Sequence, residues 1–257
     1  TNQTDVFEVC GRGELQMAVL IETMRREGYE FMVSKPRVIT KEENGKILEP
    51  VESIFLDLEE DHTGVITEKL SKRKGRMVNL QNNGFGRVTL EFKVPSRGMI
   101  GFRSEFLTDT KGSGIMNTLF DSYAPWFGEI PQRNNGVIIA DRPGKVTPYA
   151  SLAMADRGEL FVNINTEVYK GMVIGERNRT GDLDVNIVRE KKLTNVRSAT
   201  KDSTVVLRPP QNLSLDQCIE FIAEDELLEV TPENLRMRKM ELDINKRMAK
   251  KSKNKKG

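Results

Sequence analysis

The chain has 257 residues, 37% of them hydrophobic and 30% charged, with a formal net charge of +2. That is enough chain for two or three ordinary domains with apolar cores, and the near-balanced charge does not by itself announce a polyanionic partner. No run of eighteen apolar residues occurs, which excludes a helical membrane span in these residues, and no basic-then-apolar stretch opens the sequence. The two distant cysteines, Cys10 and Cys218, suit small core residues in a reducing, cytoplasmic setting rather than a disulfide scaffold.

Phe7 to Val9 reads as a strand and Gly11-Arg12-Gly13 as a tight turn. Met17, Leu20, Ile21 and Met24 then recur at i, i+3, i+4 and i+7, the apolar face of a helix. Gly28 stops that helix, and Tyr29, Phe31 and Val33 alternate as in a half-buried strand. A strand–helix–strand unit cannot cover both of its apolar faces, so the expectation is a partner lying upstream and a sequence that is the back part of a larger protein. Asn44-Gly45 closes this first unit, residues 1–46.

A second unit is expected over 47–126. Ile54 to Leu58 is a strand, and Val65, Ile66 and Leu70 begin a helix that Gly75 ends. Met77, Val78 and Leu80 make a strand, and Asn82-Asn83-Gly84 makes the hairpin loop. Val88, Leu90, Phe92 and Val94 alternate until Pro95. Met99, Phe102 and Phe106 fall on one face of a second helix, and Ile115 to Asp121 is a last strand. The order is β-α-β-β-α-β, the ferredoxin-like arrangement.

Over 127–245 short β-rich segments recur: 137–140, 149–154, 160–164, 185–188 and 205–207, punctuated by Gly, Asp and Asn. This pattern predicts a small twisted sheet or barrel. One helix is well signed, with Ser214 as cap, Gln217 completing a capping box, and Leu215, Cys218, Ile219 and Ile222 as its buried stripe. Leu235 to Arg238 reads as a strand. From Asp216 to Glu229 there are six acids and no base, and from Lys246 to Lys256 seven bases and no acid. The tail, 246–257, reads as a disordered basic end, with phosphate attraction as the competing reading.

Catalytic and metal chemistry find little to work with. His62 is the single histidine and sits in an acidic turn, too few groups for a nucleophilic triad or the usual zinc sets. No GxxxxGK[ST] loop occurs: Gly144-Lys145-Val146-Thr147 lacks both the leading glycine and the adjacent hydroxyl. Asp61-His62-Thr63-Gly64 and Asp109-Thr110-Lys111-Gly112 both fit a DxxG pattern, a measure of how weak that pattern is. Gly11 and Gly13 read as a packing turn rather than an anion site.

Binding remains. The stretch from Tyr169 to Lys192 is polar and glycine-bearing, and reads as a loop without apolar anchors, a length of loop that is functional more often than idle. Its Lys170, Arg177, Asn178, Arg179, Lys191 and Lys192, extended by Arg197 and Lys201, form a basic strip that could meet phosphates.

Several stretches carry a resemblance: Phe7 to Met17 with Ile21 to Phe31, Pro95 to Phe106, Gln132 to Gly136, Ala155-Asp156-Arg157-Gly158, and Lys191 to Asn195. The chain resembles the BipA/TypA branch of the ribosome-binding translational GTPases, relatives of elongation factor G. It departs at Gln16, where that family often has His. The resemblance implies an α+β fold: residues 1–46 as the second half of a domain III-like ferredoxin-like domain, 47–126 as a domain V-like one, and 127–245 as a β-rich, barrel-like C-terminal domain. It further implies GTP hydrolysis with Mg in an upstream domain, no catalytic, metal or cofactor residue in this portion, and a cytoplasmic monomer with no membrane partner. The basic strip would contact rRNA and the acceptor end of tRNA at the ribosomal factor site, with roles in large-subunit assembly and in stress and cold adaptation. Two readings from other classes stay open: a small-ligand-sensing module, marked by a concave apolar pocket, and a protein-interaction scaffold using the acidic helix from Ser214.

Overall fold

The computed structural model describes residues 5–130, 133, 135–191 and 208–254. The chain divides into two compact units, residues 1–35 with 133–257, and residues 36–132. At the start, α1 (Glu14–Arg26) buries Ala18 and Ile21, and β1 (Phe31–Ser34) alternates half-buried Phe31 and Val33 with exposed Met32 and Ser34. Residues 7–9 do not form the expected strand: Phe7 and Val9 are exposed, and no described strand pairs with them.

Among the described residues, the unit of residues 36–132 is one antiparallel sheet under three α-helices, one of them a single turn. β2 (Lys41–Glu43) and β3 (Lys46–Glu59) are joined by Asn44 and Gly45, both at positive φ, as a two-residue hairpin turn requires. The Asn-Gly pair thus sits inside the unit, which begins at residue 36. Then come α2 (Thr63–Lys72), β4 (Arg76–Gly84), β5 (Arg87–Pro95), α3 (Ser96–Met99), α4 (Phe102–Asp109) and β6 (Ile115–Pro125). The strands run in the order β4-β5-β3-β6, with β2 on the first residues of β3. This is the expected β-α-β-β-α-β order.

Alternation drives the core. Ile54, Leu56 and Leu58 of β3 and Val88, Leu90, Phe92 and Val94 of β5 point one way, onto Ile66 and Leu70 of α2 and Phe102 and Phe106 of α4. Each such buried side chain contributes about 1.5–3 kcal/mol of transfer free energy. Met99, Phe102 and Phe106, expected on one helix, lie on two, because Gly101 at φ 76° breaks the helix; all three still reach the core. The β4–β5 turn is Gly84-Phe85-Gly86, slightly later than expected.

The other unit continues with β7 (Val137–Ala140), β8 (Gly144–Lys145), α5 (Pro148–Met154), β9 (Gly158–Leu160), β10 (Glu167–Val168), β11 (Val173–Arg177), β12 (Leu183–Val185), α6 (Leu215–Phe221), β13 (Glu226–Val230), β14 (Leu235–Lys239) and α7 (Ile244–Asn254). Its strands form a four-stranded sheet β12-β7-β11-β9, a three-stranded sheet β1-β13-β14 and a small β8–β10 pair. Among the described residues there is no closed barrel, contrary to expectation. The reason lies in β7. Its run Val137-Ile138-Ile139-Ala140 is buried on both faces: Val137 and Ile139 join a core with α1, α6, β13 and β14, while Ile138 and Ala140 join one with α5, β10 and Ile187. A strand with apolar residues at every position is the centre of a layered stack.

Part of the apolar surface of α1 and β1 packs within the chain, while Leu15, Val19, Leu20 and Met32 stay exposed. β1 pairs antiparallel with β13, Phe31 opposite Val230, and Ala18 and Ile21 pack with Cys218, Ile219 and Ile222. Residues 149–154, expected as β, are helical because Thr147 caps that segment, its Oγ1 accepting from the Ala150 amide at 3.2 Å, with Pro148 in the first helical position. The β-rich segment at 160–164 ends at Leu160. Residues 205–207 lie outside the described residues. The basic tail, expected as disordered, is helical through Asn254.

Candidate nucleic-acid interface

The turn from Arg177 to Asp182 links β11 to β12, and three backbone bonds fix it from two sides. The Arg177 amide donates to Gly136 O and the Gly136 amide to Arg179 O, both at 2.9 Å, while the Asn178 amide donates to Arg157 O at 2.9 Å. A Cβ at Gly136 would stand 1.9 Å from Gly181 O, so only glycine lets the two chain segments meet there. Arg177 folds back, its guanidinium donating to Gly181 O at 3.0 Å and Thr180 O at 3.3 Å.

Behind the turn lies a buried ionic network. Asp182 accepts from the Val137 amide at 3.3 Å and pairs with Lys239 Nζ at 3.0 Å. Lys239, 1% exposed, also meets Glu226 at 2.8 Å and Asp225 at 3.0 Å, and Glu226 receives Arg133 at 2.9 Å. Burial works against the Lys239 charge, but Glu226, Asp182 and Asp225 outweigh it and hold its pKa above the usual lysine value. Burial likewise opposes the Glu226 carboxylate, yet Arg133 and Lys239 pull its pKa below the ordinary one.

The front of the turn is open. Asp156, Arg157, Arg177, Asn178, Arg179 and Leu183 line a cleft of about 310 Å³. Asn178, Arg179, Asp156 and Arg157 are at least partly exposed, and among the described residues none of the three guanidinium groups is paired with a carboxylate. Three positive groups against one acid make an anion-attracting concavity, and planar guanidinium forks suit phosphate oxygens.

The structure brings together Arg177, Asn178 and Arg179 from the expected strip and places Lys170 elsewhere. Lys170 pairs with Asp243 at 2.6 Å, away from the cleft lining. Lys191 is exposed at the last described position before residue 208. Lys192, Arg197 and Lys201 lie outside the described residues. The stretch 169–191 is no anchorless loop: Met172, Val173, Ile174, Val185 and Ile187 are all buried. Sequence reasoning missed Arg157. Its one signal was Ala155-Asp156-Arg157-Gly158, and the structure explains the glycine: a Cβ at Gly158 would stand 1.9 Å from Glu176 O. A second open groove, about 570 Å³, runs along Ser151, Leu160, Val162 and Pro209 to Gln211. His62 is half-buried, 3.9 Å from Glu59. Among the described residues no three of His, Cys, Asp and Glu are grouped to hold a metal ion.

Comparison with known proteins adds two family matches. Residues 46–134 match the family described as the elongation factor G C-terminus, and residues 135–244 match the TypA/BipA C-terminal domain. Curated relatives named large ribosomal subunit assembly factor BipA are 50% identical in Bacillus subtilis (strain 168), 48% in Salmonella typhimurium and 49% in Haemophilus influenzae. Each alignment covers 96% of this chain and 40%, 41% and 40% of the respective relative. The chain thus spans about two fifths of the length of these relatives.

Proposed function

The chain belongs to the BipA/TypA family as its C-terminal portion, and from that premise we propose that it is the ribosome-docking part of a translational GTPase that serves in large-subunit assembly. GTP hydrolysis, with Mg, is assigned to an upstream domain of the parent protein. This portion supplies attachment in the cytoplasm, as a monomer, to rRNA and to the acceptor end of tRNA at the factor site. Growth under stress and cold is the setting in which that attachment matters. On this reading residues 47–126 are the domain V-like module, 127–245 the family-specific one, and 1–46 the second half of a domain III-like module.

One observation carries the RNA reading: Arg157, Arg177 and Arg179 converge on one cleft without a carboxylate partner. Arg157 and Arg179 offer forked donors to phosphate oxygens, and Arg177 holds the turn that presents Arg179. Contacts of this kind set position and orientation and read no bases. The remaining basic residues of the strip, Lys191, Lys192, Arg197 and Lys201, would extend the same contact, with Asn178 donating from its amide.

The test replaces Arg157 and Arg179 with Gln in the full-length protein and leaves Arg177 in place. Affinity for large ribosomal subunits is expected to fall about tenfold. The slope of log affinity against log salt should flatten by about 2, near 0.9 for each phosphate contact removed. Unchanged affinity and slope, with the fold intact by circular dichroism, overturn the assignment.

A further inference from the structure

The basic end of the chain is seated with care. Asp243 caps α7, its Oδ1 accepting from the Asn245 amide at 2.8 Å and the Lys246 amide at 3.3 Å, and its Oδ2 takes Lys170 at 2.6 Å. One turn on, Arg247 points inward, 8% exposed, pairing with Asp184 of β12 and donating to Glu241 O and Leu242 O at 2.9 Å. Beneath them, a Cβ at Gly171 would fall 2.6 Å from the Leu242 side chain and 2.8 Å from its Cα, so residues 170–171 form a tight seat for the helix start. Lys170, which the sequence offered as an RNA contact, is part of this seat.

What the seat holds is a stripe of bases. Lys246 and Lys250 stand at i and i+4 on one side of the helix, Lys253 follows at i+7 in the sequence, and from Lys246 onward the sequence contains no acid. Lys246 and Lys250 are exposed. Like charges at this spacing destabilise a helix in isolation. A free tail needs no buried arginine. Pinned at two points, the stripe is held in a fixed direction, where a polyanion could neutralise it.

We propose that α7 is a fixed cationic arm that lies against an RNA backbone, aimed by the Arg247–Asp184 and Lys170–Asp243 latches. The inference rests on the ribosome-docking reading and adds a second RNA-contacting element to it. Lysine is well matched to such a contact, because a compact charge on a flexible stem meets phosphates without demanding their geometry. The helix is poorly suited to a lipid surface, because Ile244, Met248 and Ala249 are its only apolar residues and an interfacial helix needs a broad apolar face.

The experiment uses the full-length protein and, as probe, a labelled RNA duplex of about two turns, with large ribosomal subunits in parallel. Replacing Lys246, Lys250 and Lys253 together with Gln should weaken binding to both by about tenfold and flatten the salt slope by about 2–3. The latch is tested by sign. Asp184→Asn makes the protein more positive, so charge alone predicts tighter binding, whereas loss of aim predicts binding severalfold weaker. Since Asp184→Asn strands Arg247, the double variant Asp184→Asn/Arg247→Gln, unchanged in net charge, keeps the test valid and should weaken binding equally. Tighter binding by Asp184→Asn, or wild-type binding by the double variant, overturns the fixed arm. An unchanged salt slope in the lysine variant overturns the RNA contact. The Arg157 and Arg179 variants report on the cleft independently, so the arm can fail while the cleft stands.

Discussion

Both units close around apolar cores, but they bury charge differently: residues 36–132 hold Glu49 against Arg97, the other unit a network around Lys239. Residues 36–132 close around apolar side chains supplied by consecutive elements, with Phe92, Phe102 and Phe106 among the largest fully buried groups. The unit of residues 1–35 and 133–257 joins distant stretches, and beside its two apolar cores it buries a charged pair, Lys239 and Glu226, opposite each other across β13 and β14. The apolar contacts of either unit are tolerant, since they are non-directional, whereas the Lys239 network is specific, because a buried ion pair is weak evidence of stability but is strongly destabilising when half of it is removed.

The sharpest way to break this comparison is to damage one unit in its apolar core and the other in its Lys239 network. Phe102→Ala should cost about 3–5 kcal/mol and speed amide exchange in β3 and β5 at any pH. Lys239→Ala, which leaves Glu226 and Asp182 short of a buried partner, should cost a similar ~3–5 kcal/mol, read by exchange in β7, β13 and β14. The two differ in pH behaviour. Glu226 has a lowered folded pKa, so its contribution is present above the unfolded value near ~4.3 and fades as pH falls through the folded one. Lys239 has a raised pKa, so its contribution is present below about 10.4 and fades as pH rises through the folded value. The wild-type protection of β13 and β14 should therefore decline at both extremes, and in Lys239→Ala the alkaline decline should vanish. A pH-flat profile in the wild type contradicts the ionic account of this unit.

A smaller effect tests whether the unit with the Lys239 network also aims the cleft. Gly136→Ala forces a methyl onto Gly181 O, 1.9 Å away. Overpacking of this sort costs about 1–3 kcal/mol. Because the contact is with the Arg177–Asp182 turn, the strain should appear there: nuclear magnetic resonance shifts should move at Arg177 to Asp182 and stay still in β3 and β5. If the shifts spread evenly through the unit, the turn is not separately anchored.

Much of this was legible, and the exceptions have a common cause. Val88 to Val94 and Ile54 to Leu58 alternate with period two, so their strands and their inward face could be read directly. β1 against β13 could not, since the two lie some two hundred positions apart and the sequence holds no short-range signal of their pairing. Lys239 carried a signal that was passed over: Leu235, Met237 and Lys239 share one face of β14, as Glu226, Leu228 and Val230 share one face of β13. A charge in phase with apolar neighbours points inward. In the same way Arg247, one base in a run of bases, is the buried one among the described side chains, and charge counting alone cannot single it out. The cleft was half legible: Arg177 and Arg179 are close in sequence, whereas Arg157 joins them only because β9 lies beside β11.

The smallest expected effect concerns the feature that local sequence specified best. In α6 the Ser214 hydroxyl accepts from the Gln217 amide at 3.3 Å, and Gln217 Oε1 accepts from the Ser214 amide at 2.9 Å. Ser214→Ala deletes half of that box and should cost about 1 kcal/mol, while Ser214→Asp, which can cap equally well, should cost close to nothing. The loss should be independent of pH between about 5 and 9, because no group in the cap titrates there. That separates it from Lys239→Ala, although both changes fall in the same unit. α6 lies on the core shared with α1, so exchange in α1 should speed in step with α6. If α1 keeps its protection while α6 loses its own, the join between the chain's opening residues and its later half is weaker than the packing of Ala18 and Ile21 on Cys218 and Ile219 requires.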